Sequence, residues 1–295
     1  MKLLVEFILQ GQRQAMAVAA IATLSLFLAW VGAAVVALVV LRFGLVQAMS
    51  VIVAALIPAT FWVYFLHDIG PLTTIVCAAT LAAVLRTSRS WSTMLVCMPL
   101  VLGVFTQILM AAAPDVIAYM HALVVEFINT MQTQTAGLEQ ASADAEAVQR
   151  VMDRLQPPTE LQLMGLYAVS QSLTVLLSLC LARWWQALAF NPGGFQQEFH
   201  QLRLSKLSAL FSVLGLALLA NSANYAVWAW LFVVPIVVAG FALIHGLIAQ
   251  KTKGGHWIIL FYLAVAIAPD KMIVLLMLLA LVDSALGFRG KAAAS

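Results

Sequence analysis

PDVIAYMHALVVEFINTMQTQTAGLEQASADAEAVQRVMDRLQPPTE, residues Pro114–Glu160, is a polar interval between two blocks so apolar that little besides lipid could solvate them. It carries seven acids (Asp115, Glu126, Glu139, Asp144, Glu146, Asp153, Glu160) against two bases (Arg150, Arg154), while the rest of the chain holds thirteen bases and five acids. Cytoplasmic loops of membrane proteins accumulate Lys and Arg, so a long acidic, base-poor interval belongs on the far side of the membrane. The chain then divides into an N-terminal membrane block (1–112), the acidic segment (113–160) and a C-terminal membrane block (161–295).

Composition places these blocks in a bilayer. Of 295 residues, 64% are apolar and only 9% charged, whereas soluble domains carry about a quarter charged residues. The mean hydropathy is +1.02. The net charge of +3 does not point to nucleic acid, because the bases come one or two per loop and form no stripe that could follow a phosphate backbone. Cys77, Cys97 and Cys180 lie far apart in apolar runs and show neither disulfide nor metal spacing. Glu6 and the glutamines between Gln10 and Gln14 interrupt the first apolar run, against a cleavable signal peptide. Leu3, Leu4, Phe7 and Ile8 share one face of a short helix expected to lie on the membrane surface.

A spanning helix needs about 20 apolar residues, fewer when neighbours shield it. Gln14 to Leu41 is either one long tilted helix or a hairpin of two short ones, and charge favours the hairpin. A turn near Trp30 to Gly32 puts Arg13 and Arg42 on the same cytoplasmic side. Further spans are expected at Val46–Phe65, Leu72–Leu85, Trp91–Ala112, Leu161–Leu188, Leu207–Ala220, Ala226–Ala249, Trp257–Ala268 and Met272–Phe288. The fold class is therefore all-α, a polytopic helical membrane protein of about 8–10 transmembrane helices with both termini cytoplasmic and one extended periplasmic helical segment. In that segment Val116, Ile117, Met120, Leu123, Val124 and Ile128 recur at helical spacing and predict one packed face, and Pro157-Pro158 terminates it. With this layout twelve bases fall cytoplasmic and three (Arg150, Arg154, Lys271) outside. Sliding the count by one span destroys the bias. Trp30, Trp62, Trp91, Trp184, Trp185 and Trp257 sit near span ends, as interfacial rings do.

Ionisable groups inside a membrane domain are functional candidates by default. Asp283 in the last span and His245 late in the eighth are the two here. Each also has a plain structural reading, as an interfacial acid or a packed histidine. Gln107, Gln171, Asn221 and Asn224 could line a polar cavity with them or bond between helices. A second candidate surface is the cytoplasmic loop 190–206, with Asn191, Pro192, Gly193, Gly194, His200 and Arg203. Its stretch GFQQEFHQLRLSKL places Phe195, Phe199, Leu202 and Leu207 near helical spacing, as in an interfacial helix. P-loop, HExxH, GxSxG and dinucleotide fingerprints are missing, so the chain reads as neither an enzyme nor an ATP-driven machine by itself, and no cofactor is implied.

NPGGFQQEFHQLRLSKLSAL (191–210), GQRQAM (11–16) and the terminal WIILFYLAVAIAPDKMIVLLMLLALVDSALGFR (257–289) resemble the YybS-like family of bacterial inner-membrane proteins of unknown function. The resemblance implies a Gram-negative inner membrane and a periplasmic acidic segment. More distantly it implies kinship with S components of energy-coupling-factor transporters and with MreD. S components bind a vitamin and work with separate transmembrane and ATPase subunits. Here the span count exceeds their usual six, and no vitamin-binding motif matches residue by residue. Two functions are expected: a small-solute-binding or transport-related module with a separate energising partner, or a non-catalytic cell-envelope interaction or scaffold protein. The expected partners are the lipid bilayer and another membrane protein, with the small-molecule ligand unidentified.

Overall fold

The computed structural model describes residues 1–25, 27–136, 156–250 and 254–287. Among the described residues all regular structure is helical: α1 Lys2–Leu9, α2 Gln12–Leu24, α3 Ala29–Phe43, α4 Leu45–Leu66, α5 Gly70–Ser88, α6 Trp91–Ala112 and α7 Pro114–Ala136. After the acidic segment come α8 Glu160–Phe190, α9 Gly194–Gln201, α10 Lys206–Ala220, a 3-10 turn at Ala226–Ala229, α11 Trp230–Ala249, α12 Gly254–Ile267 and α13 Pro269–Leu286. Every apolar run expected to cross the membrane is one of these helices. Five of them, α4, α5, α6, α8 and the helix ending in α11, are long and apolar enough to span, and the bent pair α9–α10 makes a sixth if counted as one. The chain is a multi-pass helical membrane protein. Helices of 15 and 14 residues such as α3 and α12 reach only about 22 Å at 1.5 Å per residue, short of a hydrocarbon core of about 30 Å.

The first apolar run is a hairpin, but its break falls between Leu24 and Ala29 rather than at Trp30–Gly32. Packing explains the difference. A Cβ on Gly32 would collide with Thr23 Oγ1 and lie 3.0 Å from Ala19 O, so this glycine lets α3 lie against α2 instead of turning the chain. Trp62 Nε1 donates to Thr23 O at 2.8 Å, satisfying one of the carbonyls that the end of α2 leaves open.

The hairpin's second arm is the centre of the fold. Every residue of α3 from Gly32 to Leu41 is buried, enclosed by α2, α4, α5 and α8. A helix apolar all round belongs inside, and Ala33, Ala34 and Ala37 let its neighbours approach closely. In the C-terminal block α11 crosses α13 closely, where a Cβ on Gly240 would come 2.5 Å from the backbone at Leu276 O.

Two amphipathic expectations shift by a face. In α1, Val5 and Ile8 are buried while Leu3 and Phe7 point outward, so the helix packs on protein through a face that includes Val5. In α7, Ile117 and Ile128 are buried, but Leu123 is exposed and aligns with Tyr119, Phe127 and Met131. Glu139, Asp144, Glu146, Arg150, Asp153 and Arg154 lie outside the described residues, as do Lys251, Lys253, Arg289 and Lys291. Trp185, expected at an interface, is a core residue only 2% exposed.

Candidate functional site

The N-terminal block and α8 send their cationic ends to one place. Arg42 closes α3, Arg86 sits in the last turn of α5 with Arg89 following in left-handed conformation, Arg183 lies near the end of α8, and Arg203 follows α9. All five line a single cavity of about 740 Å³ with Ser90, Trp91, Ser92, Gln186, Glu198 and Gln201. Five guanidinium groups face one carboxylate.

Three of the arginines hold the frame. Arg86 Nη1 donates to Leu41 O at 2.6 Å and Arg42 O at 2.7 Å, a cation on the open carbonyls and negative dipole end of α3. The Arg42 guanidinium stacks 4.2 Å from the Phe190 ring centre, a cation–π contact joining α3 to the end of α8. Arg183 grips Glu198 as a fork, with Nε 2.9 Å from Oε2 and Nη2 bonded to Oε1. Trp91 Nε1 also donates to Glu198 Oε2 at 3.3 Å. Partial burial pushes the Glu198 carboxyl up, but the hydrogen bonds and charge of Arg183, with Trp91 behind them, outweigh it and hold the group below its ordinary 4.5. Arg89 and Arg203 form no ion pair with a described residue.

Local sequence explains how Arg203 reaches the cavity. Leu202–Ser205 is an extended hook between α9 and α10, and side chains alternate along extended chain. Leu202 and Leu204 are buried, so Arg203 faces the other way. Ser205 N donates to Ser92 Oγ at 2.9 Å, and Ser205 Oγ caps α10 by accepting from Ser208 N at 3.1 Å. These bonds tie the hook to α6.

The loop 190–206 is thus part of the cavity wall rather than a free interfacial strap. Gly193 adopts φ +86° at the start of α9, and Gly194 is buried beneath the Asn191 side chain. Phe195 packs on Trp91 and Phe199 on His245, with ring centres 6.1 and 5.7 Å apart. Asn191, Pro192 and Gly193 stay exposed, His200 is half-buried, and Leu207 points outward.

Two apolar grooves complete the picture. One of about 430 Å³ runs between α8 and α11, from Val169 and Trp230 at one end to Cys180, Phe199 and His245 at the other. His245 Nδ1 lies 2.8 Å from Phe241 O and therefore carries the proton, leaving Nε2 to accept from Tyr262 OH at 3.2 Å. The other, about 530 Å³ between α6 and the turn after α10, includes Gln107, Leu219 and Tyr225.

The six polar candidates do not meet. Gln171 lies on the α5–α8 seam with Oε1 2.8 Å from Thr74 Oγ1. Asn221 Nδ2 bonds back to Ala217 O at 2.7 Å, and Asn224 sits exposed in the following turn. Asp283 is buried in α13, His245 faces the first groove and Gln107 the second. None of these three cavities takes in more than one of them. The polar cavity is built instead from Arg203, a candidate of the cytoplasmic loop, together with Arg42, Arg86, Arg89 and Arg183, which the sequence marks only by their orientation. Their shared side was the signal, since loops on one side of a membrane lie at one depth. No protein-family model matches the chain, and no curated protein or solved structure matches it.

Proposed function

We propose that this protein is a binding or transport-related module of the bacterial inner membrane that takes an anionic ligand in the arginine-lined cavity and works with a separate energising partner. The observation that carries this reading is the imbalance of five guanidinium groups to one carboxylate in a space of about 740 Å³, within the roughly 300–1,000 Å³ range of ligand pockets. Guanidinium forks suit phosphate and carboxylate oxygens. The positive-inside bias supports a cytoplasmic basic end, cytoplasmic termini and a periplasmic acidic end. The chain has no P-loop of its own, and the YybS-like and S-component resemblance supports an external source of energy.

A ligand that binds the folded state raises thermal stability by mass action. Phosphate, pyrophosphate, a nucleotide and a dicarboxylate are the probes. At least one should raise the melting temperature of the detergent-purified chain, less so at high salt. The double variant R89A/R203A should lose the shift while melting at the wild-type temperature without ligand. No shift with any of the four would remove the reading.

A second reading, a cell-envelope interaction or scaffold protein, draws on a different observation. Tyr119, Leu123, Phe127 and Met131 form an exposed stripe at four-residue spacing along α7, a face fitted to a partner helix or the membrane surface. Anion-insensitive melting together with specific cross-links from Leu123 would favour it.

A further inference from the structure

We propose that the anion held by the arginine cavity is the phosphate headgroup of a lipid, whose acyl chain lies in the apolar groove between α8 and α11. This rests on the anionic-ligand reading above and names its chemical class.

One face of α8 joins the two spaces. Gln186 and Arg183 line the cavity, and Cys180, Leu176, Leu173 and Val169 line the groove. These positions are three or four apart and so form one stripe. Along it, the surface changes from cationic to hydrocarbon within a single turn. Helix α9 covers the junction and repeats the division, with Glu198 and Gln201 in the cavity and Phe199 in the groove.

The dimensions fit one leaflet. Val169 to Cys180 spans about 16 Å at 1.5 Å per residue, against roughly 15 Å for half of a hydrocarbon core. The groove begins at the level of the cavity, beneath Phe199 and His245, and runs toward the bilayer middle. Its two titratable rings, His245 and Tyr262, bond to each other and His245 also to Phe241 O, so a polar solute finds little there to bond.

Charge selects the headgroup. Exposed guanidinium groups at the head of a hydrocarbon groove attract an anion, and phosphate oxygens accept their paired donors. A zwitterionic headgroup brings an ammonium into a space where cations already outnumber Glu198, whereas an anionic phosphate ester does not. The ligand class is therefore a lipid with a net negative phosphate head, drawn from the leaflet on the basic side.

Delipidated full-length protein in detergent would be titrated with dioleoylphosphatidylglycerol, dioleoylphosphatidylcholine and glycerol 3-phosphate, reading thermal shift and bound mass by native mass spectrometry. Phosphatidylglycerol should act at a concentration at least about tenfold lower than either other probe, a difference of one decade in affinity. R89A/R203A should abolish its advantage over phosphatidylcholine. A groove-filling variant, V237W or L173W, whichever keeps the lipid-free melting temperature, should weaken phosphatidylglycerol by a similar factor without changing the response to glycerol 3-phosphate. If glycerol 3-phosphate matches phosphatidylglycerol, the lipid proposal falls and the anionic-solute reading stands. If phosphatidylcholine matches it, or if no probe binds, the lipid proposal falls, and the anionic-ligand reading stands or falls with the four soluble probes above.

Discussion

The α5–α8 seam and the basic cavity handle polar groups in an apolar setting in opposite ways. In the seam, Thr73 Oγ1 lies 2.5 Å from Tyr167 OH and Thr74 Oγ1 2.8 Å from Gln171 Oε1. Beside it, Ser178 Oγ donates to Trp30 O at 2.9 Å, joining α8 to α3. Each contact closes within the protein. At the basic end the donors exceed the acceptors, and Arg89 and Arg203 face a cavity rather than a carboxylate. Arg89 and Arg203 are solvent-exposed and bear no burial cost, so the seam reads as closed structure and the cavity as a set of accessible donors open to something from outside.

The strongest way to break that contrast is to damage α3, the buried helix against which both arms of the seam pack. Leu38 is fully buried at the middle of α3, and truncating a buried leucine costs about 2–5 kcal/mol. L38A should lose stability of that size in denaturant titration while the folded fraction keeps its anion response. A loss below about 1 kcal/mol would mean that α3 is not closely packed, and the seam would no longer be the rigid partner in the comparison.

Glu198 tests the other side, with a smaller effect. Its folded carboxyl titrates below 4.5, so its pairing with Arg183 contributes stability fully above that value and loses it as pH falls through the lowered folded one. E198Q should melt at a lower temperature than wild type at pH 7 and show a flatter acid limb. It also removes the cavity's one negative charge, so the midpoint for an anionic ligand should drop a few-fold. An unchanged midpoint would show that Arg183 and Glu198 form a strut with no bearing on binding.

Hydropathy and charge made the helices and their common basic end legible. Two things escaped them. Charge predicts a hairpin turning near Trp30 to Gly32, yet Gly32 serves a helix contact with Ala19 and Thr23, a tertiary demand that leaves no local mark. The site escaped because Arg42, Arg86, Arg89, Arg183 and Arg203 are spread over 162 positions of sequence. Conversely, the polar residues that stood out inside spans, Gln171 above all, find partners one helix away. A lone polar residue in an apolar run is conspicuous in sequence whether it binds a ligand or a neighbour.

That last point yields the smallest effect and the finest test. Hydrogen bonds between membrane helices average only about 0.6 kcal/mol and reach about 1.7, so T74A and Q171A should each destabilise slightly, and a double-mutant cycle should return a coupling in that range. Neither change should alter anion binding, because the seam lies apart from the arginines. If Q171A weakened the anion response while leaving stability intact, Gln171 would belong to the functional site after all. The division between a closed seam and an open cavity would then have been drawn in the wrong place.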